Sequence, residues 1–168
     1  MAKTVVIRKF SCGVIPKELA ALLEKEWILL KQSADTLDLS FIKCKTIGIK
    51  EQYTFEEQES FDSLTSKFAR TSDIYIQKVL RTAWSLLHEP SIPFIDLVNR
   101  CEKEGIIPSA DELIEIRDLR NQIAHEYLPE VLRAMVPEIF QRTTALITAI
   151  SSTERYLLRR GWIHPVLP

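Results

Sequence analysis

Apolar residues along this chain recur at three- and four-residue steps, the spacing that gathers them on one face of an α-helix. Behind Pro16, a residue suited to a first helical turn, Leu19, Leu22, Leu23, Trp27 and Leu30 make one stripe and predict a helix from about Pro16 into the thirties. The stretch Asp35 to Ile49 still carries Leu37, Leu39, Phe41, Ile42 and Ile47 but ends at the breaker Gly48, so it reads as helix fading into a connection. From Thr54 to Leu87 the period is sustained by Phe55, Leu64, Phe68, Ile74, Ile76, Val79, Leu80, Ala83, Leu86 and Leu87, with a candidate break near Thr71-Ser72 and a stop at Glu89-Pro90.

Pro93 opens a shorter helix with Phe94, Leu97 and Val98 inward and Gly105 at its end. Ser109 followed by Glu112 has the form of a capping box and opens a helix through Leu113, Ile116, Leu119 and Ile123. Pro129 interrupts it, and a last helix is predicted from about Glu130 to Arg160, with Leu132, Ile139, Leu146, Ile150, Tyr156 and Leu157 apolar and Gly161 as its stop. Five helices with short joints predict an all-α fold, an antiparallel helical bundle. The expected organisation is an extended or flexible segment at 1–15, one bundle domain at 16–161 and a tail at 162–168.

Composition agrees with a folded chain. At 168 residues, with 46% hydrophobic and 27% charged residues and four glycines, there is enough apolar material for one core and little sign of disorder. Cys12, Cys44 and Cys101 are odd in number and widely separated, which suits neither a disulfide framework nor a clustered metal site, and a reducing cytoplasm is the expected location. No apolar run is long enough for a signal peptide or a membrane span, so no membrane partner is expected. A net charge of -1 supplies no global field for nucleic acid, and any such contact would depend on a local patch. No cofactor or metal is called for.

The candidate chemistry lies in Arg120, Asn121, Gln122, Ile123, Ala124, His125, Glu126 and Tyr127. An imidazole is the usual proton-transfer group near neutrality. Asn121, four residues before His125, falls within about 40° of it on one helical face, where its amide can orient the ring. Leu113, Ile116, Arg120, Ile123 and Tyr127 follow one another at helical steps, which inserts Arg120 into an apolar stripe. A guanidinium there needs a partner: either a carboxylate such as Glu112, Glu115 or one across a helix interface, or a phosphate that fits its planar fork. Arg120 and His125 are about 140° apart on a straight helix, too splayed to grip one small group. Either the helix bends, or two copies pool their residues in a twofold dimer.

Arg120, four residues, His125, one residue, Tyr127 resembles the R-x4-H-x-Y signature of HEPN-domain proteins, specifically the HepT-like toxins encoded beside minimal nucleotidyltransferases. The stretch Phe94 to Val98, through Gly105-Ile106-Ile107 to Glu115 to Leu119, is also similar to that family's approach to the motif. The likeness covers about Pro93 to Tyr127. It implies a helical bundle that acts as a homodimer, with the motif in a cleft between protomers, and metal-independent endoribonuclease cleavage of RNA. On that likeness His125 moves the proton of a ribose 2′-hydroxyl or of its leaving group, Arg120 stabilises charge on phosphorus, Asn121 positions one of them, and Tyr127 accepts AMP from the partner nucleotidyltransferase antitoxin. The alternative is a non-catalytic helical module that binds a nucleotide or substrate for a separate nucleotidyltransferase.

Other candidates read as structural. His88, at a helix end, suits a cap, and His164 lies in the tail. Glu56-Glu57-Gln58-Glu59 reads as a solvated helix start. Arg155, Arg159 and Arg160 read as dipole-favoured charge at the end of the last helix, or as an RNA-backbone contact if that helix flanks the motif. Trp27, Trp84 and Trp162 are too scattered in sequence to count as a stacking platform.

Overall fold

Residue 16 is the first that the computed structural model of the chain describes, and the description covers residues 16–126 and 129–165. Helix α1 runs over Lys17–Ile47, α2 over Phe55–Ile74, and α2 passes directly into a π-helical turn, Tyr75–Leu80, and then α3, Arg81–Ser85. Next come α4, Phe94–Lys103, and α5, Ala110–His125, followed by α6, Pro129–Ala134, and α7, Val136–Arg159. Among the described residues there is no strand, and the fold is the all-α bundle predicted. Within the same residues, no helix is long and apolar enough to cross a membrane.

Helix α1 does not fade after Asp35 but stays helical to Ile47, through most of the stretch expected to pass into a connection. Leu23, Trp27, Leu30, Leu37, Phe41 and Cys44 are all buried and keep one seam in contact with the core to the last turn. Gly48, at φ 78°, ends the helix in a conformation that costs other residues a Cβ clash. The cross-links Cys44 to Ser60, Ser40 to Lys67 and Ser33 to Thr71 pair falling with rising numbers, so α1 and α2 run antiparallel. Helix α7 lies antiparallel to α1 by the same logic: Phe41 meets Phe140 edge-on at 5.6 Å, and Lys31 pairs with Glu154.

The start of α2 is fixed by a full capping box: the Thr54 hydroxyl accepts from the Glu57 N–H, and the Glu57 carboxylate accepts from the Thr54 N–H. Helix α2 does not break near Thr71-Ser72; both residues are buried within it, and the irregularity falls four residues later as the π-turn. There Tyr75, fully buried, shares a 2.7 Å hydrogen bond with Thr153 of α7, whose hydroxyl also reaches the Ile106 carbonyl at 2.9 Å. That chain of bonds ties the π-turn, α7 and the residues leading into α5 together, satisfying polar atoms that would otherwise be stranded in the core.

Some apolar residues of the predicted stripes face solvent. Leu22 is 44% exposed and Phe55, the first residue of α2, is 73% exposed. Apolar surface residues are ordinary, and periodicity alone does not bury them. The final segment also differs: α6 is a single short piece, Met135 makes a turn, and Pro137 sits in the first turn of α7, where its missing N–H is harmless. Trp162 and Ile163 are buried, so the core continues past Gly161 into the stretch expected as a tail. Residues 1–15, expected to be extended or flexible, lie outside the described residues.

Candidate functional site

Polar contacts at several points hold α5, the helix that carries the motif. Ser109 caps its first turn by accepting from the Glu112 N–H, and Glu102 of α4 accepts from the Ala110 N–H at 3.2 Å. The other half of the expected capping box does not form, because the Glu112 carboxylate turns instead to Arg142 of α7 at 2.8 Å. Arg142 also pairs with Glu115, and with 12% of its side chain exposed it clamps α5 onto α7. On the opposite flank, the Arg117 guanidinium lies 4.4 Å from the Phe94 ring centre, a cation–π contact onto α4.

A further contact belongs to Arg120 itself. Its Nε donates to Asp73 Oδ2 at 3.1 Å, its Nη2 donates to the same oxygen at 2.6 Å, and its Nη1 donates to Asn121 Oδ1 at 3.2 Å. Glu112 and Glu115 are engaged by Arg142, so of the partners considered for Arg120 the one across a helix interface is present. A guanidinium carries five N–H donors. Three are engaged among the described residues, which leaves two without a partner there.

Around this pair lies an open cleft of about 580 Å³ between the end of α2, the π-turn and α5. It is lined by four cationic side chains, Arg70, Lys78, Arg117 and Arg120, against one carboxylate, Asp73. Asn121 and Gln77 add neutral polar groups. Such a cleft focuses a local positive potential that the overall charge of -1 conceals. π-Turns recur at functional sites, and this one supplies a wall of the cleft.

The predicted motif residues are only partly brought together. Arg120 and Asn121 share the cleft and a hydrogen bond. His125 is the exposed last residue of α5 and is not part of the cleft lining. Helix α5 is α-helical without interruption from Ala110 to His125, so no irregular turn removes the angular gap of about 140° between Arg120 and His125. The Asn121 amide oxygen faces Arg120 rather than orienting the imidazole. Tyr127 lies outside the described residues.

Asp73 was not a sequence candidate, although it is the direct partner of the motif arginine; 47 positions separate them, and no local spacing links them. Arg70 and Lys78 were likewise unclaimed. The signal available was the step Arg70 to Asp73, which puts a cation and a carboxylate on one face of α2.

The remaining candidates resolve as structural. Trp27, Trp84 and Trp162 are buried. His164 pairs with Glu24 at 2.7 Å at the surface, and His88 takes a left-handed backbone, φ 60°, after the last turn of α3. Arg160 lies against the Tyr156 and Trp162 rings, and none of Arg155, Arg159 and Arg160 lines the cleft. Burial pushes the Cys44 thiol up to about 11 and the Cys101 thiol up to about 12. Neither is a nucleophile at neutral pH. Among the described residues no group of three His, Cys, Asp or Glu side chains converges as a metal site.

No family model matches the chain, and no curated protein or solved structure does either.

Proposed function

We propose that this chain is a HEPN-type endoribonuclease toxin that works as a homodimer and is neutralised by a minimal nucleotidyltransferase antitoxin. The observation that carries the reading is Arg120: a guanidinium held by Asp73 and Asn121 in a cationic cleft, with two N–H donors uncommitted. The planar fork of a guanidinium matches two oxygens of a phosphodiester. The likeness of Arg120, His125 and Tyr127 to the family signature supplies the reaction class.

In the proposed reaction the ribose 2′-oxygen attacks phosphorus while His125 accepts its proton. The bond to the 5′-oxygen breaks, and that oxygen takes a proton from the imidazolium or from water. Arg120 stabilises the charge that grows on the phosphoryl oxygens. The products are a 2′,3′-cyclic phosphate and a 5′-hydroxyl. Because Arg120 and His125 of one copy diverge around α5, the working set combines Arg120 of one copy with His125 of a second. Addition of AMP to Tyr127 by the antitoxin adds bulk and negative charge next to this set and silences it.

The test is cleavage of labelled RNA by purified protein in the presence of a chelator. Cleavage should proceed in the wild type and disappear in His125→Ala, and persistent cutting by that variant would remove the histidine from the mechanism. A second reading, a non-catalytic module that binds a nucleotide for a separate nucleotidyltransferase, is favoured by the absence of His125 from the cleft lining. Expression of the chain alone in bacteria separates the two, since a toxin arrests growth and a binding module does not.

A further inference from the structure

We propose that the cleft between α2, the π-turn and α5 is a track for the sugar–phosphate backbone of a single RNA strand, with Arg70 and Lys78 holding phosphates on either side of the one gripped by Arg120. The choice of RNA rests on the function proposed above; the track itself rests on three features of the cleft.

The first is charge without partners. Asp73 is engaged by Arg120, and among the described residues Arg70 and Lys78 have no carboxylate or hydrogen-bond partner. Both are exposed, yet they face the same concavity as Arg117 and Arg120 rather than scattering over the surface. The second feature is length. Arg70 and Lys78 stand eight residues apart on a continuous helical rod, on the order of 10 Å along its axis, too far to share one phosphate. The cations are therefore spaced for a run of phosphates.

The third feature is the chemistry of the described lining. Among the described residues no aromatic side chain lines the cleft, so they offer no platform on which a base could stack. Its wall of guanidinium, ammonium and amide groups suits the backbone, which is the same in every sequence. Binding along this track is accordingly tolerant of sequence and steep in salt. Asp73 serves the track by fixing the guanidinium of Arg120 at its centre, with two donors open.

The experiment measures binding apart from cutting. The full chain carrying His125→Ala is titrated into a fluorescent RNA 12-mer, and anisotropy is followed at several salt concentrations. Arg70→Gln with Lys78→Gln is added in the same background, and Arg155→Gln with Arg159→Gln serves as the control; circular dichroism confirms that each variant is folded. The cleft pair should weaken binding about tenfold and lower the salt slope by roughly 1.4, for two phosphate contacts on a single strand. The control pair should change neither.

Unchanged affinity in the cleft pair, or a loss confined to the control pair, overturns the track. So does competition by AMP at its own modest concentration with no dependence on RNA length, which would make the cleft a nucleotide site. If the wild type binds as described but cuts nothing, the track stands and the ribonuclease reading fails. If Arg70→Gln with Lys78→Gln, placed in the chain with His125 intact, binds and cuts as the wild type does, the ribonuclease reading stands and the track fails.

Discussion

Asp73→Asn keeps the shape of the Arg120 contact while removing its charge, and its consequences divide in a way that only a positioning role produces. The pair is partly exposed, 32% for the Arg120 side chain and 44% for that of Asp73, so solvent screens it and its contribution to folding is about 0.5–1 kcal/mol. For a chain of this size that lowers Tm by roughly 1–4 °C. In the cleft the effects are opposed. Loss of the Asp73 carboxylate, the one carboxylate among the described lining residues, removes repulsion of on the order of 0.5–1 kcal/mol toward an incoming phosphate, so RNA binding tightens about two- to fivefold. The guanidinium is then anchored by weaker bonds, and a misplacement near 1 Å costs kcat about ten- to a hundredfold. Steady-state kinetics with RNA in excess over the protein separates KM from kcat, and a thermal melt gives the stability change. A kcat within twofold of wild type, or a loss of kcat that merely follows a large fall in Tm, refutes the reasoning.

Arg142→Met releases Glu112 and Glu115 and loosens α5 from α7; partner carboxylates about half exposed limit the cost to about 1–2 kcal/mol, seen as a fall in Tm of roughly 2–8 °C. Thr54→Ala removes one half of the capping box and lowers unfolding free energy by about 1 kcal/mol in a urea titration. Cys44 and Cys101 should resist a thiol reagent at pH 8 in the folded protein and react once it is denatured. Their folded pKa values, about 11 and about 12 against an ordinary 9.0, are raised, so the stability they contribute is complete below pH 9 and is lost as pH rises through 11 and 12. Denaturation monitored from pH 8 to 11 should show that decline, and a flat profile would mean that these thiols are not held in the core.

Helix content was legible because each α-helix buries one face, and the seams of α4 and α7 appear in the sequence as Phe94, Leu97, Val98 and as Ile139, Leu146, Ile150, Leu157. The extension of α1 was harder to read, since Asp35 and Asp38 sit on its solvent side and interrupt the apolar run without interrupting the helix. The Thr54-x-x-Glu57 box was present in plain sequence, whereas the Ser109 box was only half realised because Arg142 competes for Glu112. The π-turn left no mark in the hydrophobic period; it opens on the buried Tyr75, whose hydroxyl meets Thr153, a contact 78 positions away that no local spacing encodes.

In the cleft, the neighbouring positions of Arg120 and Asn121 and the divergence of His125 were legible, because helical geometry fixes all three. It did not locate Asp73, Arg70 or Lys78. Those reach α5 only through the folding of α2 against it, a tertiary contact that no spacing encodes.

Mixing two inactive proteins distinguishes a site pooled from two copies from one built within a single copy. Arg120→Ala and His125→Ala are purified separately, unfolded and refolded together so that mixed dimers form, then given labelled RNA in the presence of a chelator. Each variant alone should be inactive, and the mixture should regain cleavage, because a mixed dimer carries one intact Arg120 opposite one intact His125. A mixture as inert as its components, beside a wild type that cleaves, would contradict a shared site.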